Sequence, residues 1–330
     1  MSAGALAGAG RAPAARPGRT CPVSYLYPPR VFDRDPELAA RTLYVAGGLY
    51  GNREALAAIG ALAAREAGPV ELVFNGDFHW FDVAPGDFAA VSEAVLAQRA
   101  LRGNVETEIA GEESGAGCGC AYPADVSDAE VSRSNEILER LRATARGVPD
   151  LRARLGALPM HLVARVGAAR VAIVHGDAAS LAGWGFAHDR LDDPRHGRWI
   201  ASAFRDARVD VFASSHTCLP ALRLFDVDGR ARAVANNGAA GMPNFEGTRF
   251  GVVTRIGVDS FAGPERLYGA AVAGVHVEAL RVDYDHGRWL ERFTASWPEG
   301  SSAHASYQRR IVHGPRHGIE RARPASAARG

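Results

Sequence analysis

The sequence contains no lysine and has little cysteine. All 38 basic residues are arginine and 37 residues are acidic, so the formal net charge is only +1. This balance provides no overall field that would draw the protein to nucleic acid or to a membrane surface. The cysteines are Cys21, Cys118, Cys120 and Cys218. They are too few to form a disulfide scaffold in a chain of this length.

Long apolar runs are also missing. No run approaches the length of a membrane span, and residues 1–20 lack the continuous apolar core of a signal peptide. We therefore expect a cytoplasmic protein with no membrane partner and a disordered leader over residues 1–20. Residues 301–330 contain six arginines and one glutamate. This composition predicts a basic, disordered tail, for which solvation is a simpler role than binding to nucleic acid.

Apolar residues make up 47% of the 330 residues, which is enough for one sizeable core. We predict a single domain over residues 21–300, in which residues 107–160 form an insertion or lid. The stretch 110–121 of this insertion is rich in glycine and contains Cys118 and Cys120. These two cysteines either bind a soft metal, form a redox disulfide or remain reduced thiols in a mobile loop.

Three short phrases follow apolar runs that are typical of buried strands. The runs cover residues 42–46, 70–74 and 100–101, and the phrases are VAGGLYGN (45–52), NGD (75–77) and RGN (102–104). Helical patterns separate the runs, which predicts a β-α-β-α-β unit. Because ligands bind at the carboxyl ends of parallel strands, we expect Asp77 and Asn104 to meet in one crevice.

Two histidines end later strand patterns in the same way. His175 follows the apolar run 171–174, and His216 follows the predicted strand 209–213 within the phrase SSHTC (214–218). We expect both side chains to lie at strand ends, where a ligand role is more common than core packing. A further helix is predicted from Ser127 to Ala145, because Ser127 and Glu130 fit a capping box.

The order of these phrases resembles the signature of the calcineurin-like metallophosphoesterase family. That signature reads D-x-H-G-N, then G-D, then G-N-H-D/E, then a lone histidine after a strand, then G-H-T-H. The stretch NNGAAG (236–241) also resembles the closing N-x-G-S-x-G turn of the family. The resemblance implies an α/β fold in which two mixed β-sheets pack as a sandwich flanked by helices.

The resemblance also implies a metal site. Four residues match ligands of one cation of the family's two-metal site, and this set suits Mn, Fe or Zn: Asp77, Asn104, His175 and His216. Asp77 matches the carboxylate that bridges the two cations. We therefore expect one or two divalent metal ions per chain.

The position of the other cation is altered in this chain. Gly48 and Tyr50 stand where the family has aspartate and histidine, and Cys218 stands where G-H-T-H has its last histidine. A Cys218 thiolate can still bind a metal. His79, two residues after Asp77, either fills part of the vacated position or packs among its aromatic neighbours.

The catalytic groups are altered as well. Val105 stands where the family has the histidine that protonates the leaving group. Glu106 is the nearest replacement acid, and a surface carboxylate is the alternative. Tyr50 offers a phenol that either donates a hydrogen bond to an anion or packs in the core.

Three functions are compatible with these residues. The first is a metal-dependent phosphoesterase that hydrolyses a small phosphorylated substrate, either a phosphomonoester or a phosphodiester. The second is a non-catalytic descendant that binds a metal or a phosphorylated ligand. The third is a metal-thiolate redox enzyme that uses Cys118, Cys120 and Cys218. We favour the first, and the residues leave the substrate, the metal and the oligomeric state open.

Overall fold

The computed structural model describes residues 16–112 and 115–326. Most of the expected leader, residues 1–15, lies outside these ranges. The part that is described contacts the rest of the chain: the Gly18 amide donates to the carbonyl of Ala116 over 2.6 Å. The Arg19 guanidinium donates to Asp128 and to the carbonyls of Pro123 and Val126. Residues 16–20 are therefore bound to the domain surface.

Within the described ranges the chain forms thirteen strands. Their bounds are Leu38–Ala40 (β1), Thr42–Ala46 (β2), Val70–Asn75 (β3), Arg99–Leu101 (β4), His161–Val166 (β5), Ala169–Val174 (β6), Val211–Ser214 (β7), Ala221–Val227 (β8), Arg230–Asn236 (β9), Gly251–Gly257 (β10), Arg266–Val272 (β11), Val275–Val282 (β12) and Ala325–Ser326 (β13).

The same ranges contain ten helices. Their bounds are Arg53–Ala63 (α1), Pro85–Leu96 (α2), Asn104–Ala110 (α3), Asp128–Arg146 (α4), Pro149–Gly156 (α5), His188–Leu191 (α6), Gly197–Ala207 (α7), His286–Ser296 (α8), Ser302–His313 (α9) and Ile319–Ala322 (α10). Three further segments are short 3₁₀ turns: Val23–Tyr25, Pro29–Phe32 and Pro194–His196.

The strands form two mixed sheets. One sheet has six strands in the order β11-β12-β10-β2-β3-β4, and the other has seven in the order β1-β5-β6-β7-β9-β8-β13. Strands β2, β3 and β4 run parallel, whereas β10 is antiparallel to β2. In the other sheet β6, β7 and β9 run parallel. Strand β5 is antiparallel to β6 and parallel to β1, and β8 is antiparallel to β9 and parallel to β13.

An apolar layer fills the space between the two sheets. Both sheets contribute fully buried side chains to it, among them Leu43, Val45 and Val73 from one sheet and Val171, Ile173 and Val211 from the other. The burial of so much apolar surface on the inner faces stabilises the sandwich. The predicted fold class, two mixed sheets packed face to face, is confirmed.

Helices cover the outer faces of the sandwich. Ile59 of α1, Phe88 of α2 and Leu138 of α4 pack in the core outside the six-stranded sheet. Ile200 and Phe204 of α7 pack outside the other sheet. Helix α4 begins with the predicted capping box, in which Oγ of Ser127 accepts from the Glu130 amide over 3.2 Å.

The predicted disordered tail needs correction, because α9 and α10 are formed. Ala303 and Ile311 of α9 are fully buried, and Tyr307 also packs against the core beneath α4. These three residues recur every four positions and form one apolar helical face. The six arginines of the tail obscure this stripe when composition alone is considered.

Across the described part of the chain, no helix combines the length and apolar character needed to cross a membrane.

Candidate metal centre and its cavity

The strand ends of the two sheets bring the candidate ligands together. Asp77 follows β3, Asn104 follows β4, His175 follows β6 and His216 follows β7. The loops approach so closely that a Cβ added to Gly76 would lie 2.5 Å from the backbone nitrogen of Gly103. Glycine at position 76, where φ is +94°, therefore permits the close packing of the two loops.

Asp77, His175 and His216 form a buried cluster. One ligand atom from each lies within 4.8 Å of the others. Nε2 of His175 lies 3.3 Å from Oδ1 of Asp77 and 3.2 Å from Nδ1 of His216. Oδ1 of Asn104 lies 3.1 Å from the same Nε2 atom. The structure therefore brings together all four residues of the expected complete metal site.

Neighbouring carbonyls orient two of these side chains. The carbonyl of Asn75 lies 2.8 Å from Nδ1 of His175, which assigns a proton to that nitrogen and leaves a lone pair on Nε2 of the neutral ring. The amide nitrogen of Asn104 donates to the carbonyl of Cys118 over 2.9 Å, so its Oδ1 faces the cluster. Carboxylate, amide and imidazole lone pairs thus converge on one point, an arrangement that suits a divalent cation.

The charges of the cluster are strongly coupled. Burial raises the pKa of Asp77, but His175 and then His216 outweigh this effect, and the pKa lies below its usual value. Burial, followed by repulsion from His175, lowers the pKa of His216 to about 3. Nε2 of His216 is buried without a hydrogen-bond partner among the described residues. Burial lowers the pKa of His175, but the charge of Asp77 outweighs this effect, and the pKa lies above its usual value. Metal binding requires both imidazoles to be neutral beside an ionised Asp77, so a cation would displace the proton from Nε2 of His175.

The backbone is strained at the site. Four non-glycine residues around the cluster have φ between 52° and 62°: Tyr50, Asp77, His216 and Cys218. A left-handed conformation costs on the order of 1 kcal/mol for such residues and persists only where the surroundings enforce it. These turns aim the side chains toward a shared space at the edge of the sheets.

Tyr50 and Cys218 form a pair beside the cluster. The Tyr50 hydroxyl lies 2.8 Å from Sγ of Cys218. The Tyr50 ring also covers Gly48, since a Cβ at position 48 would lie 2.9 Å from Cε2 of the ring. Burial, then the charge of Cys218, raises the pKa of Tyr50 well above its usual value. A phenol and a thiol therefore fill the altered position, and Cys218 is outside the group of donors within 4.8 Å of one another.

His79 does not reach the cluster, contrary to one of our expectations. Its Nδ1 lies 2.6 Å from a carboxylate oxygen of Asp82, and its Nε2 lies 3.0 Å from the hydroxyl of Ser92. The ring stacks on Phe88 with a centroid distance of 4.1 Å. The packing interpretation of His79 is correct, because both ring nitrogens already have partners inside the domain.

Glu106 is also placed differently from the expected proton donor. Its carboxylate accepts hydrogen bonds from four backbone amides, those of Asp77 (2.8 Å), Phe78 (3.1 Å), His79 (3.3 Å) and Gly103 (2.8 Å). The side chain is fully buried, and it does not line the cavity described below. Glu106 therefore joins the two loops that carry Asp77 and Asn104.

A cavity of about 440 Å³ opens over the cluster. Asp77, Asn104 and His216 contribute to its lining, and aromatic side chains form much of the rest: Tyr50, Trp80, Tyr122, Trp184 and Tyr307. The Trp184 ring meets the His216 ring edge-on at a centroid distance of 5.4 Å. The cavity is thus polar on the side of the cluster and largely apolar elsewhere.

Several lining residues were not anticipated from the sequence, and two of them interact with the site from the expected tail. Tyr307 and Arg310 enter the cavity from α9, within the segment expected to be disordered. The apolar stripe of α9 was the available signal for this helix. Cys120 lines the cavity while Cys118 is fully buried, and all four cysteines are free thiols.

Comparison with known proteins bears on the fold. No family model and no curated protein sequence matches the chain. A metallophosphoesterase from Sphaerobacter thermophilus superposes with a TM-score of 0.50 at 18% identity, covering 84% of this chain and 100% of that one. A hypothetical protein from Pyrococcus horikoshii superposes with a TM-score of 0.55 at 15% identity, covering 84% and 99%. The chain therefore has the calcineurin-like metallophosphoesterase fold, as its five phrases predicted.

Proposed function

We propose that this protein is a phosphoesterase that uses one divalent cation, Mn, Fe or Zn, held by Asp77, Asn104, His175 and His216. The observation that carries the proposal is the convergence of four ligand atoms, in which Nε2 of His175 lies 3.1–3.3 Å from an atom of each of the other three side chains. A buried carboxylate, an amide oxygen and two imidazoles form a ligand set that is suited to these metals.

The residues around the cluster suit a phosphorylated small molecule. A divalent cation at this position would supply Lewis acidity toward a phosphoryl oxygen. The Tyr50 hydroxyl stays protonated because of burial and offers a hydrogen-bond donor beside the cluster. Trp184 and Tyr122, whose ring centroids are 6.1 Å apart, form an apolar wall for the organic group of the substrate.

One observation favours a second candidate function, non-catalytic binding of a phosphorylated ligand. Val105 is buried where a leaving-group acid is expected, and Glu106 is enclosed by backbone amides. A site without an acid near the leaving group would bind a phosphate ester and turn it over slowly. A third function, metal-thiolate chemistry, draws support from the positions of Cys120 and Cys218 on the cavity wall.

Hydrolysis by the protein purified without added metal or chelator tests the proposal. p-Nitrophenyl phosphate and bis(p-nitrophenyl) phosphate represent the two ester classes. We expect Asp77→Asn and His216→Gln to lose both the bound metal and turnover. His304→Gln, on α9 and outside the cavity lining, is the matched histidine control and should behave as the unmodified protein.

The outcomes separate the three functions. Unchanged turnover in Asp77→Asn and His216→Gln would rule out phosphoester hydrolysis at this cluster. Metal binding and phosphate binding without turnover of either ester would support the non-catalytic function. Loss of the metal from a Cys118→Ser/Cys120→Ser/Cys218→Ser variant would support the metal-thiolate function, whereas hydrolysis should survive these substitutions if our proposal is correct.

A further inference from the structure

Arg310 faces the cavity from helix α9. Its Nε donates to the carbonyl of Pro243 over 3.1 Å, and its Nη2 donates to the carbonyl of Cys218 over 2.7 Å. Cys218 is two residues beyond His216, and both line the same cavity as Arg310. The two carbonyls therefore fix the guanidinium plane in the cavity that the metal cluster also lines. The remaining nitrogen, Nη1, donates to no oxygen atom of the described residues. The guanidinium also acts on the Cys218 thiol, where it opposes the rise in pKa that burial causes.

The charge of Arg310 is not balanced by a carboxylate in the described residues. Other buried arginines of this chain have such partners: Arg223 lies 2.5 Å from Asp192, and Arg255 lies 2.6 Å from Glu66. Arg310 is half-buried, and its hydrogen-bond acceptors are neutral carbonyls. A partly desolvated guanidinium without a counter-charge favours an anionic ligand.

The other charged groups of the cavity do not balance the charge of Arg310. Asp77 belongs to the metal cluster. Glu130 accepts hydrogen bonds from the amide and hydroxyl of Ser127 at the start of α4. Asp125 lines the cavity without an ion pair to Arg310 among the described residues. With a cation bound at the cluster, the cavity would contain two positive charges, the cation and the Arg310 guanidinium.

We propose that Arg310 binds the phosphate of the ligand through its guanidinium while a cation held by the metal cluster contacts the same phosphate. This assignment deepens the proposed function, since it takes a phosphate ester as the ligand of the cavity. Arg310 would then select ligands with a dianionic terminal phosphate over neutral or singly charged esters. Phosphomonoesters should accordingly be preferred over phosphodiesters.

Calorimetric titration with inorganic phosphate tests the assignment. The protein is loaded with one equivalent of Mn²⁺, and four forms are compared: unmodified, Arg310→Gln, Arg310→Lys and Arg309→Gln. We expect Arg310→Gln to weaken phosphate binding by about ten-fold or more, because a hydrogen bond between charged groups is lost. Arg310→Lys should lose less, since it keeps the charge. Arg309 is the exposed neighbour on the same helix, and its substitution should have no effect.

A measurement on the unmodified protein tests the assignment even if the variants misfold. Phenylglyoxal modifies accessible arginines, and mass spectrometry locates the modified residues. We expect inorganic phosphate to protect Arg310 but not Arg309 in the Mn²⁺-loaded protein. Absence of protection, or equal phosphate affinity in Arg310→Gln and the unmodified protein, would overturn the assignment.

The phosphate-binding test of Arg310 can succeed or fail independently of the hydrolysis test of the proposed function. If phosphate binds through Arg310 and neither test ester is hydrolysed, the assignment holds and the catalytic proposal fails. If esters are hydrolysed at the metal cluster and Arg310→Gln binds phosphate normally, the assignment fails and the catalytic proposal holds. A purely structural role for Arg310 would lower the unfolding temperature or the Mn²⁺ content without a specific effect on phosphate affinity.

Discussion

The phenol oxygen of Tyr50 lies 2.8 Å from the thiol sulfur of Cys218, and both residues adopt positive φ angles, 55° and 62°. The pair occupies the position where the resemblance to metallophosphoesterases implies a second cation. A phenol kept neutral by burial is a weak metal ligand. Because of this pair, we expect one metal ion at the site instead of two.

We predict one divalent metal ion per chain in the protein purified without chelator. Cys218→Ser should retain that ion, because Asp77, Asn104, His175 and His216 do not depend on the thiol. Elemental analysis of both forms, expressed per chain, gives the measurement. Two ions per chain, reduced to one by Cys218→Ser, would show that the thiol completes a second site.

A second prediction concerns Glu106. Its carboxylate accepts hydrogen bonds from four backbone amides in the loops that carry Asp77 and Asn104. Glu106→Gln replaces one accepting oxygen by a donor, which leaves buried amides without partners. We expect the free energy of unfolding to fall by about 2–4 kcal/mol and metal affinity to weaken. Denaturant titration measures the loss, and Glu299→Gln, at an exposed position, is the control.

The alternative for Glu106 has a different signature. If Glu106 were a general acid that contacts the leaving group, the Glu106→Gln protein would lose turnover but keep its stability and its bound metal. An unfolding midpoint equal to that of the unmodified protein, combined with lost turnover, would therefore restore the original expectation for this residue.

The sequence predicted the positions of the strands more reliably than the directions of the side chains. Strand β2 has the predicted bounds, residues 42–46, and the four ligands follow strands as expected. The ligand alternative for His79 is wrong because alternation along an extended segment does not apply there. Asp77 has a φ of 52°, so the loop turns and buries the His79 ring against Phe88.

Charge composition misled us over the C-terminal region. Residues 301–330 contain six arginines and one glutamate, yet the apolar stripe of α9 outweighs this charge once the helix packs on α4. The stripe alone does not reveal that Arg310 of α9 lines the same cavity as the metal cluster. That proximity depends on the long-range packing of α9 over the strand ends, for which one sequence carries no direct signal.

A third prediction concerns the pH dependence of stability. Burial, followed by repulsion from His188, lowers the pKa of His317 from 6.5 to about 4. Between these values the unfolded chain binds more protons at this residue than the folded chain. The free energy of unfolding should therefore decrease as the pH falls from 6.5 toward 4.

The contribution of His317 can be isolated by substitution. His317→Gln removes the titrating ring, so its unfolding temperature should depend less steeply on pH over this interval than that of the unmodified protein. His304→Gln, on α9, is the matched control and should retain the original slope. If the unfolding temperatures of His317→Gln and of the unmodified protein changed equally with pH, the pH dependence would not come from His317.

The last prediction tests whether α9 is an integral part of the domain. Ile311 is fully buried in the core outside the six-stranded sheet, whereas its neighbour Val312 is partly exposed. Ile311→Ala removes buried methyl and methylene groups and should lower the free energy of unfolding by about 2–4 kcal/mol. Val312→Ala should cost less than about 1 kcal/mol, because little buried surface is lost. Denaturant titration of both variants provides the comparison. If the tail were a solvated, disordered end, the two substitutions would be equally silent, and Arg310 would have no fixed position beside the metal cluster.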